Sequence, residues 1–171
     1  DNFLREYAPG DIGALQQVAQ QLVERNVVDR VLISPLGGHE SVINDLYHRW
    51  FSLKSDHTHS SEGVPIFPQL WGFEQIQTQF LLQMDADVMI GRADDDDLIS
   101  TMLHALAEQH VFGVGFNIPQ QLGTVFTPYD GKFVPEVRCG LFDLERMFDQ
   151  RPYPNAVNGD SLTTSWYRSI E

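Results

Sequence analysis

Segments with helix-like and strand-like patterns alternate through the first two thirds of the chain, and this alternation constrains the fold more than any other feature. Three runs rich in apolar and β-branched residues are typical of buried strands: 27–36, 80–90 and 111–118. Apolar residues recur at helical spacing in three other segments: 11–26, 42–53 and 94–109. Strands that alternate with helices favour a parallel sheet. We therefore predict an α/β fold with a mostly parallel central sheet flanked by helices, in a single domain spanning 1–171.

The rest of the chain predicts shorter elements. A polar loop without a packing signal is expected first, then an extended piece interrupted by prolines and a helical turn: 54–63, 64–72 and 73–78. Asp130-Gly131 lies between two apolar stretches and predicts a hairpin, because Asp-Gly favours the turn of a two-residue loop. Helices are expected over 141–149 and after Asp160.

The charge and the cysteine content exclude several kinds of protein. Eleven Lys and Arg against 24 Asp and Glu give a formal net charge of −13, which is unlike the basic surface that binds nucleic acid or anionic membranes. The single cysteine, Cys139, excludes an intrachain disulfide. No apolar run is long enough for a membrane span, and the first residues do not resemble a signal peptide. These features predict a cytoplasmic protein.

The sequence Asp85-Ala86-Asp87, near the end of an apolar strand, is the strongest indication of function. Two carboxylates at a strand end can face one crevice if the backbone turns there, and their oxygens suit Mg²⁺ or Mn²⁺. A solvated turn is the alternative. Apolar residues on both sides favour a functional site, because burying two carboxylates without compensation is costly.

FLLQMDADVMI, DDLISTMLHALAEQ and VFGVGF together resemble the centre of the family 2-like glycosyltransferases, which have the GT-A fold. The resemblance implies that Asp85 and Asp87 bind Mn²⁺ or Mg²⁺ and hold the diphosphate of a nucleotide-sugar donor. The acceptor would be a saccharide or another hydroxyl compound. FVPEVRCGLFDLERM is similar to the acceptor side of that family. NGDSLTTSWYR is similar to its acidic helix start, which makes Asp160 the candidate catalytic base.

The chain departs from the family pattern at its beginning. Only DNFLREYAPG precedes the first helix, where the family has a strand and a turn for the nucleotide base. The strand at 27–36 ends in Ser34-Pro35-Leu36-Gly37-Gly38-His39, without the usual acidic residue. We therefore expect the first strand of the fold to be missing or degenerate, in a fragment or in a variant with a different donor.

Other polar residues are weaker candidates for the site. Arg138 and His39 are candidate contacts to the substrate phosphates, and Arg92 is a further cation to consider. Helix capping is the alternative role for Asp160, and it is the favoured role for the run Asp94–Asp97. Three more expectations are a solvated Glu136, a surface loop carrying His57 and His59, and a buried Cys139 without a nucleophilic role.

Two other functions stay open from the sequence. An apolar strand ending in Asp-x-Asp-Val also resembles the first motif of haloacid dehalogenase-like phosphatases, in which the first aspartate is the nucleophile. In that family the motif lies near the N-terminus, whereas 84 residues precede Asp85 here. The other alternative is a degenerate, non-catalytic domain similar to a transferase.

Overall fold

The computed structural model describes residues 12–35, 39–85, 88, 90, 97–115 and 139–170. The chain divides into two units, Asp1–His39 and Glu40–Glu171. None of the described helices is long and apolar enough to cross a membrane. The hairpin predicted around Asp130-Gly131 lies outside the described residues.

The N-terminal unit contains the predicted first helix, α1 (Ile12–Glu24). The helix ends at Asn26, whose φ of 55° is left-handed, and the N–H of Val27 donates to the carbonyl O of Leu22 (2.9 Å). This is the pattern of a Schellman cap. The apolar side chains of α1 are exposed: Leu15, Val18 and Leu22.

The prediction of a strand over 27–36 is wrong for residues 27–35, which the structure describes. Residues 27–35 form no strand, and their large apolar side chains are exposed: Val27, Val28, Val31, Leu32 and Ile33. An apolar run becomes a strand only where a neighbouring strand pairs with its backbone N–H and C=O groups. The structure describes no such pairing for this segment, so composition alone was a misleading signal.

Among the described residues the central sheet has three strands, and the prediction of a mostly parallel sheet is wrong. The strands are β1 (Phe80–Met84), β2 (Gly113–Gly115) and β3 (Cys139–Asp143), in the order β1-β3-β2. β3 runs antiparallel to both neighbours. Because β1 and β2 run the same way and α4 (Leu98–Leu106) connects them, the expected strand–helix–strand unit exists. In the sheet, β3 lies between β1 and β2, so both described strand pairings are antiparallel.

Sequence reasoning missed β3 because it assigned 141–149 to one helix. All five residues of β3 are buried, and Leu141 packs against α4 while Phe142 packs in the main core on the opposite face. This alternation is that of a strand covered on both sides. The helix begins only after Asp143, as α5 (Leu144–Asp149).

Asp143 joins the sheet to both helices around it. Its side chain is 1% exposed; it accepts from the backbone N–H of Arg146 (3.1 Å) and from Gln79 Nε2 (3.1 Å). Arg146 Nε lies 3.4 Å from Asp143 Oδ2. Arg146 Nη1 in turn donates to three carbonyl oxygens at the end of α4, those of Leu106, Glu108 and Val111. The buried Asp143 carboxylate therefore caps α5, and the Arg146 paired with it holds the chain at the carboxyl end of α4.

The main core lies between α2 (Glu40–Phe51), α3 (Phe67–Glu74) and the sheet. The buried face of α2 is the one predicted from sequence: Ile43, Leu46, Tyr47, Trp50 and Phe51. The helix α3 replaces the predicted extended piece over 64–72. Pro68 lies in the first turn of α3, where proline is compatible with a helix, so its presence did not exclude one.

Glu74, at the end of α3, binds three side chains from two other parts of the fold. Arg49 donates to both of its oxygens, from Nε (3.1 Å) and Nη2 (2.5 Å). Trp50 Nε1 (3.1 Å) and Arg151 Nη1 (3.2 Å) donate to Oε1. The Arg151 guanidinium also lies over the rings of Trp50 and Phe148. These contacts hold α2, α3 and the chain after α5 together.

The C-terminal part forms a small hairpin and a short helix. The hairpin strands are β4 (Val157–Asn158) and β5 (Ser161–Leu162), and the helix is α6 (Trp166–Ser169). The predicted polar loop at 54–63 packs against this hairpin: Ser60 is bridged to Leu162, and Ser55 and Ser60 are buried. This loop packs against the hairpin although it is polar, because its buried serine hydroxyls form hydrogen bonds.

Two aspartates that cap helices provide a matched test of the Asp143 ion pair. Asp97 caps α4 by accepting from the N–H of Ser100 (3.1 Å), as Asp143 does for α5, but Asp97 is exposed. We expect Asp143→Ala to lower the free energy of unfolding by about 2–4 kcal/mol, because it removes the cap of α5 and leaves Gln79 Nε2 without its buried acceptor. Asp97→Ala should cost only about 1 kcal/mol. Urea unfolding measures both, and equal losses would contradict the role given to Asp143.

The buried tyrosines predict a loss of stability at alkaline pH. Burial raises the pKa of Tyr47 and of Tyr153 above the ordinary value of 10.0. The unfolded chain therefore releases these protons at lower pH than the folded chain. Stability is complete below about pH 10 and falls above it, by up to about 1.4 kcal/mol per pH unit for each tyrosine.

Urea unfolding followed across this pH range measures the effect. Tyr153→Phe should reduce the slope of the unfolding free energy against pH by the contribution of one tyrosine. The appearance of both buried phenolates in the ultraviolet spectrum of a protein that is still folded would contradict it.

Candidate functional site

Asp85 directly follows the last residue of β1. In the register of the sheet, Met84 is opposite Cys139, and Gly140 is opposite Gly115. The carboxyl ends of β1 and β2 and the beginning of β3 therefore lie at one edge of the sheet, which we call the Asp85 edge. It is the edge at which the sequence placed the functional site.

The chain turns immediately after β1. The backbone N–H of Val88 donates to the carbonyl O of Asp85 (3.0 Å), which is the spacing of a β-turn. The strand is thus shorter than the predicted 80–90. It is also less buried than predicted, because its outer side chains are exposed by 39–49%: Phe80, Leu82 and Met84. Asp85 itself is half-buried, and Asp87 lies outside the described residues.

The helix α4 points its amino end toward the Asp85 edge. Its carboxyl end is held by Arg146 beside Asp143, which is opposite Phe80, the first residue of β1. Met102 and Leu106 pack against Leu141 of β3, so the helix lies along the sheet. The amino end of a helix carries a partial positive charge that favours phosphate. Asp97 caps this end, as predicted for the acidic run, and Asp94–Asp96 lie outside the described residues.

Asp160 does not begin a helix, and this part of the prediction is wrong. It lies in the two-residue turn between β4 and β5, where Gly159 has a φ of 62°. A positive φ at the first central position suits a type II′ hairpin turn, and glycine accepts it without strain. Asp160 is exposed, while the short final helix begins later, at Trp166. Its predicted role as a base stays a prediction.

Sequence reasoning missed Ser55. Its hydroxyl donates to the carbonyl O of Asp160 (2.5 Å) across 105 positions of sequence. The side chain is buried although it lies in a polar stretch. No pattern in a single sequence pairs a serine with a distant backbone carbonyl, so only the fold reveals this contact.

The remaining candidates are dispersed or lie outside the described residues. His39 is exposed and belongs to the N-terminal unit. Arg138, Arg92 and Glu136 lie outside the described residues. Cys139 is buried, as predicted, and burial raises the pKa of its thiol.

The two loop histidines are ordered by their neighbours. His57 Nε2 lies 3.7 Å from Asp56 Oδ1 at the surface. His59 is half-buried, its Nδ1 lies 2.8 Å from Thr58 Oγ1, and burial lowers its pKa. His57 lies at the surface, as predicted for this loop.

The described residues offer only part of a metal site. Among them, no group of three or more His, Cys, Asp or Glu side chains is arranged to hold a metal ion. Mg²⁺ and Mn²⁺ at phosphate sites need fewer protein ligands, because one or two carboxylates suffice when water and phosphate oxygens complete the shell. Asp85 fits as one such carboxylate, and Asp87 is the predicted second.

Comparison with known proteins identifies no relative. No family model matches the chain, and no curated protein or solved structure matches it at a significant level. The function therefore has to be argued from the residues and from the Asp85 edge.

Two glycines test how tightly the Asp85 edge is packed. A Cβ at Gly140 would lie 3.0 Å and 3.1 Å from ring atoms of the buried Phe142, whereas one at Gly72 in α3 would meet nothing within 4 Å. We expect Gly140→Ala to cost about 1–3 kcal/mol of stability by overpacking. Gly72→Ala should stabilise by about 0.5–1 kcal/mol, because alanine is the better helix former.

Cys139 reports locally on the same edge, because it is 1% exposed and adjacent to Gly140. A thiol reagent should modify it slowly in the native protein, faster in Gly140→Ala and at the native rate in Gly72→Ala. Rapid modification of the native protein would show that this edge is not closed.

Proposed function

We propose that the chain is a metal-dependent glycosyltransferase domain, which moves a sugar from a nucleotide-sugar donor to an acceptor hydroxyl. The position of Asp85 carries this proposal. It stands at the end of β1, the chain turns directly after it, and β2 ends at the same edge.

Asp85 and Asp87 are the residues that would hold Mn²⁺ or Mg²⁺. A chain with a net charge of −13 needs a local device to hold a diphosphate, and a cation between carboxylates and phosphates is such a device. When bound, the cation neutralises the negative charge that develops on the departing nucleoside diphosphate. Arg138 is the proposed additional contact to the phosphates.

Asp160 is the proposed general base. Its carboxylate is exposed at a hairpin turn, where an acceptor can reach it. The acceptor oxygen forms a bond to the anomeric carbon, the bond from that carbon to the diphosphate oxygen breaks, and the hydroxyl proton moves to Asp160. This sequence of events describes an inverting transfer.

Calorimetric titration of the folded protein tests the donor half of the proposal. A nucleoside diphosphate should bind in the presence of Mn²⁺ and not in its absence. Asp85→Asn should weaken this binding by at least about tenfold, which is about 1.4 kcal/mol, and Asp87→Ala should do the same. Asp149→Asn is the matched control, since Asp149 is an exposed acid at the end of α5.

Each contrary result identifies a different alternative. Release of phosphate from a phosphomonoester through a phosphorylated Asp85 would favour the phosphatase. Absence of both metal and nucleotide binding by a protein with a native circular dichroism spectrum would favour the non-catalytic domain. Equal weakening by Asp149→Asn would show that the effect is one of net charge.

A further inference from the structure

The second strand of the hairpin that carries Asp160 is bound to the loop at 54–63. The N–H of Ser61 donates to the carbonyl O of Leu162 (2.8 Å), and Ser61 Oγ donates to the carbonyl O of Thr163 (3.2 Å). These bonds attach β5 and the residue after it. They do not reach the turn, which a two-residue-long hairpin leaves prone to fraying.

Ser55 makes the contact that does reach the turn. Its hydroxyl donates to the carbonyl O of Asp160 (2.5 Å) and accepts from the backbone N–H of His57 (3.2 Å). The carbonyl of His57 accepts from the Tyr47 hydroxyl (2.8 Å), and Tyr47 is fully buried in the face of α2. A chain of hydrogen bonds therefore runs from the main core to the backbone of Asp160.

This arrangement fixes the backbone of Asp160 and leaves its carboxylate exposed. Ser55 is 5% exposed, so its hydroxyl exchanges little with water, and removing it would leave the Asp160 carbonyl without this partner. A held carbonyl limits rotation of the turn about β4 and β5. The backbone from which the exposed carboxylate extends is thereby tied to the core.

We propose that Ser55 is the positioning residue of Asp160, holding the backbone from which its carboxylate reaches the acceptor hydroxyl. The inference rests on the proposed function, in which Asp160 receives the acceptor proton. General bases act only from a narrow range of positions, so a tether of this kind has a direct kinetic consequence. Ser55 itself touches neither donor nor acceptor.

The tether is tested first without any substrate. Amide hydrogen exchange at Gly159, Asp160 and Ser161 is compared in the native protein, Ser55→Ala, Ser55→Thr and the matched control Ser61→Ala. Ser55→Ala should raise exchange at these amides, and Ser55→Thr should restore it because it keeps the hydroxyl. The inference is overturned if Ser55→Ala leaves exchange unchanged or if Ser61→Ala raises it equally.

The positioning role is tested by sugar transfer with Mn²⁺, a panel of nucleotide sugars and simple saccharide acceptors. Ser55→Ala should lower kcat by about ten- to a hundredfold with the donor KM unchanged, since only the base is displaced. Ser55→Thr should recover kcat, and Ser61→Ala should leave it near the native value.

The two ideas fail in different ways. A native protein that transfers no sugar contradicts the proposed function, and the positioning role fails with it. A native protein that transfers sugar while Ser55→Ala keeps the same kcat contradicts the positioning role alone. A rise in donor KM with kcat unchanged also contradicts it, because that pattern belongs to weakened donor binding.

Discussion

The pairing of the buried Asp143 carboxylate with Arg146 is the interaction on which the sheet and its candidate site depend. The carboxylate ends β3, caps α5 and binds Gln79, which directly precedes β1. The guanidinium holds the end of α4 through three carbonyl groups. Burying an ion pair is favourable only with such additional hydrogen bonds. Asp143 and Arg146 lie at the edge opposite Asp85. Charged contacts therefore fix that edge of the sheet, and the Asp85 edge is left to carry function.

The three strands also differ in how far their side chains are covered. The helix α4 packs against β2 and β3, and β3 is buried on both faces. In β1, Leu81 packs against the main core and Gln83 is half-buried beside it, while Phe80, Leu82 and Met84 are exposed. The strand that presents Asp85 is therefore the least buried of the three. Mobility and access at a site are usually found in the parts of a fold with fewest packing contacts.

Local patterns were predictable from the sequence, and pairings across the chain were not. The helix α1, the buried face of α2 and the cap of α4 at Asp97 follow from patterns within one segment. The direction of the sheet depended on β3, whose short apolar run merges with the helix after it. The position of Asp85 at a strand end was predictable for the same local reason, whereas the bond between Ser55 and Asp160 joins residues 105 positions apart. The hairpin turn at Asp160 is local, but its short strands were assigned to a helix.

The central claim is that a divalent cation binds at the Asp85 edge, and paramagnetic broadening by Mn²⁺ tests it most directly. With a nucleoside diphosphate present, Mn²⁺ should broaden the amide resonances of Met84, Asp85, Gly115, Cys139 and Gly140. The resonances of Asp143 and Arg146 at the opposite edge should stay sharp by comparison. Broadening centred elsewhere in the protein, or none at saturating Mn²⁺, would contradict the account.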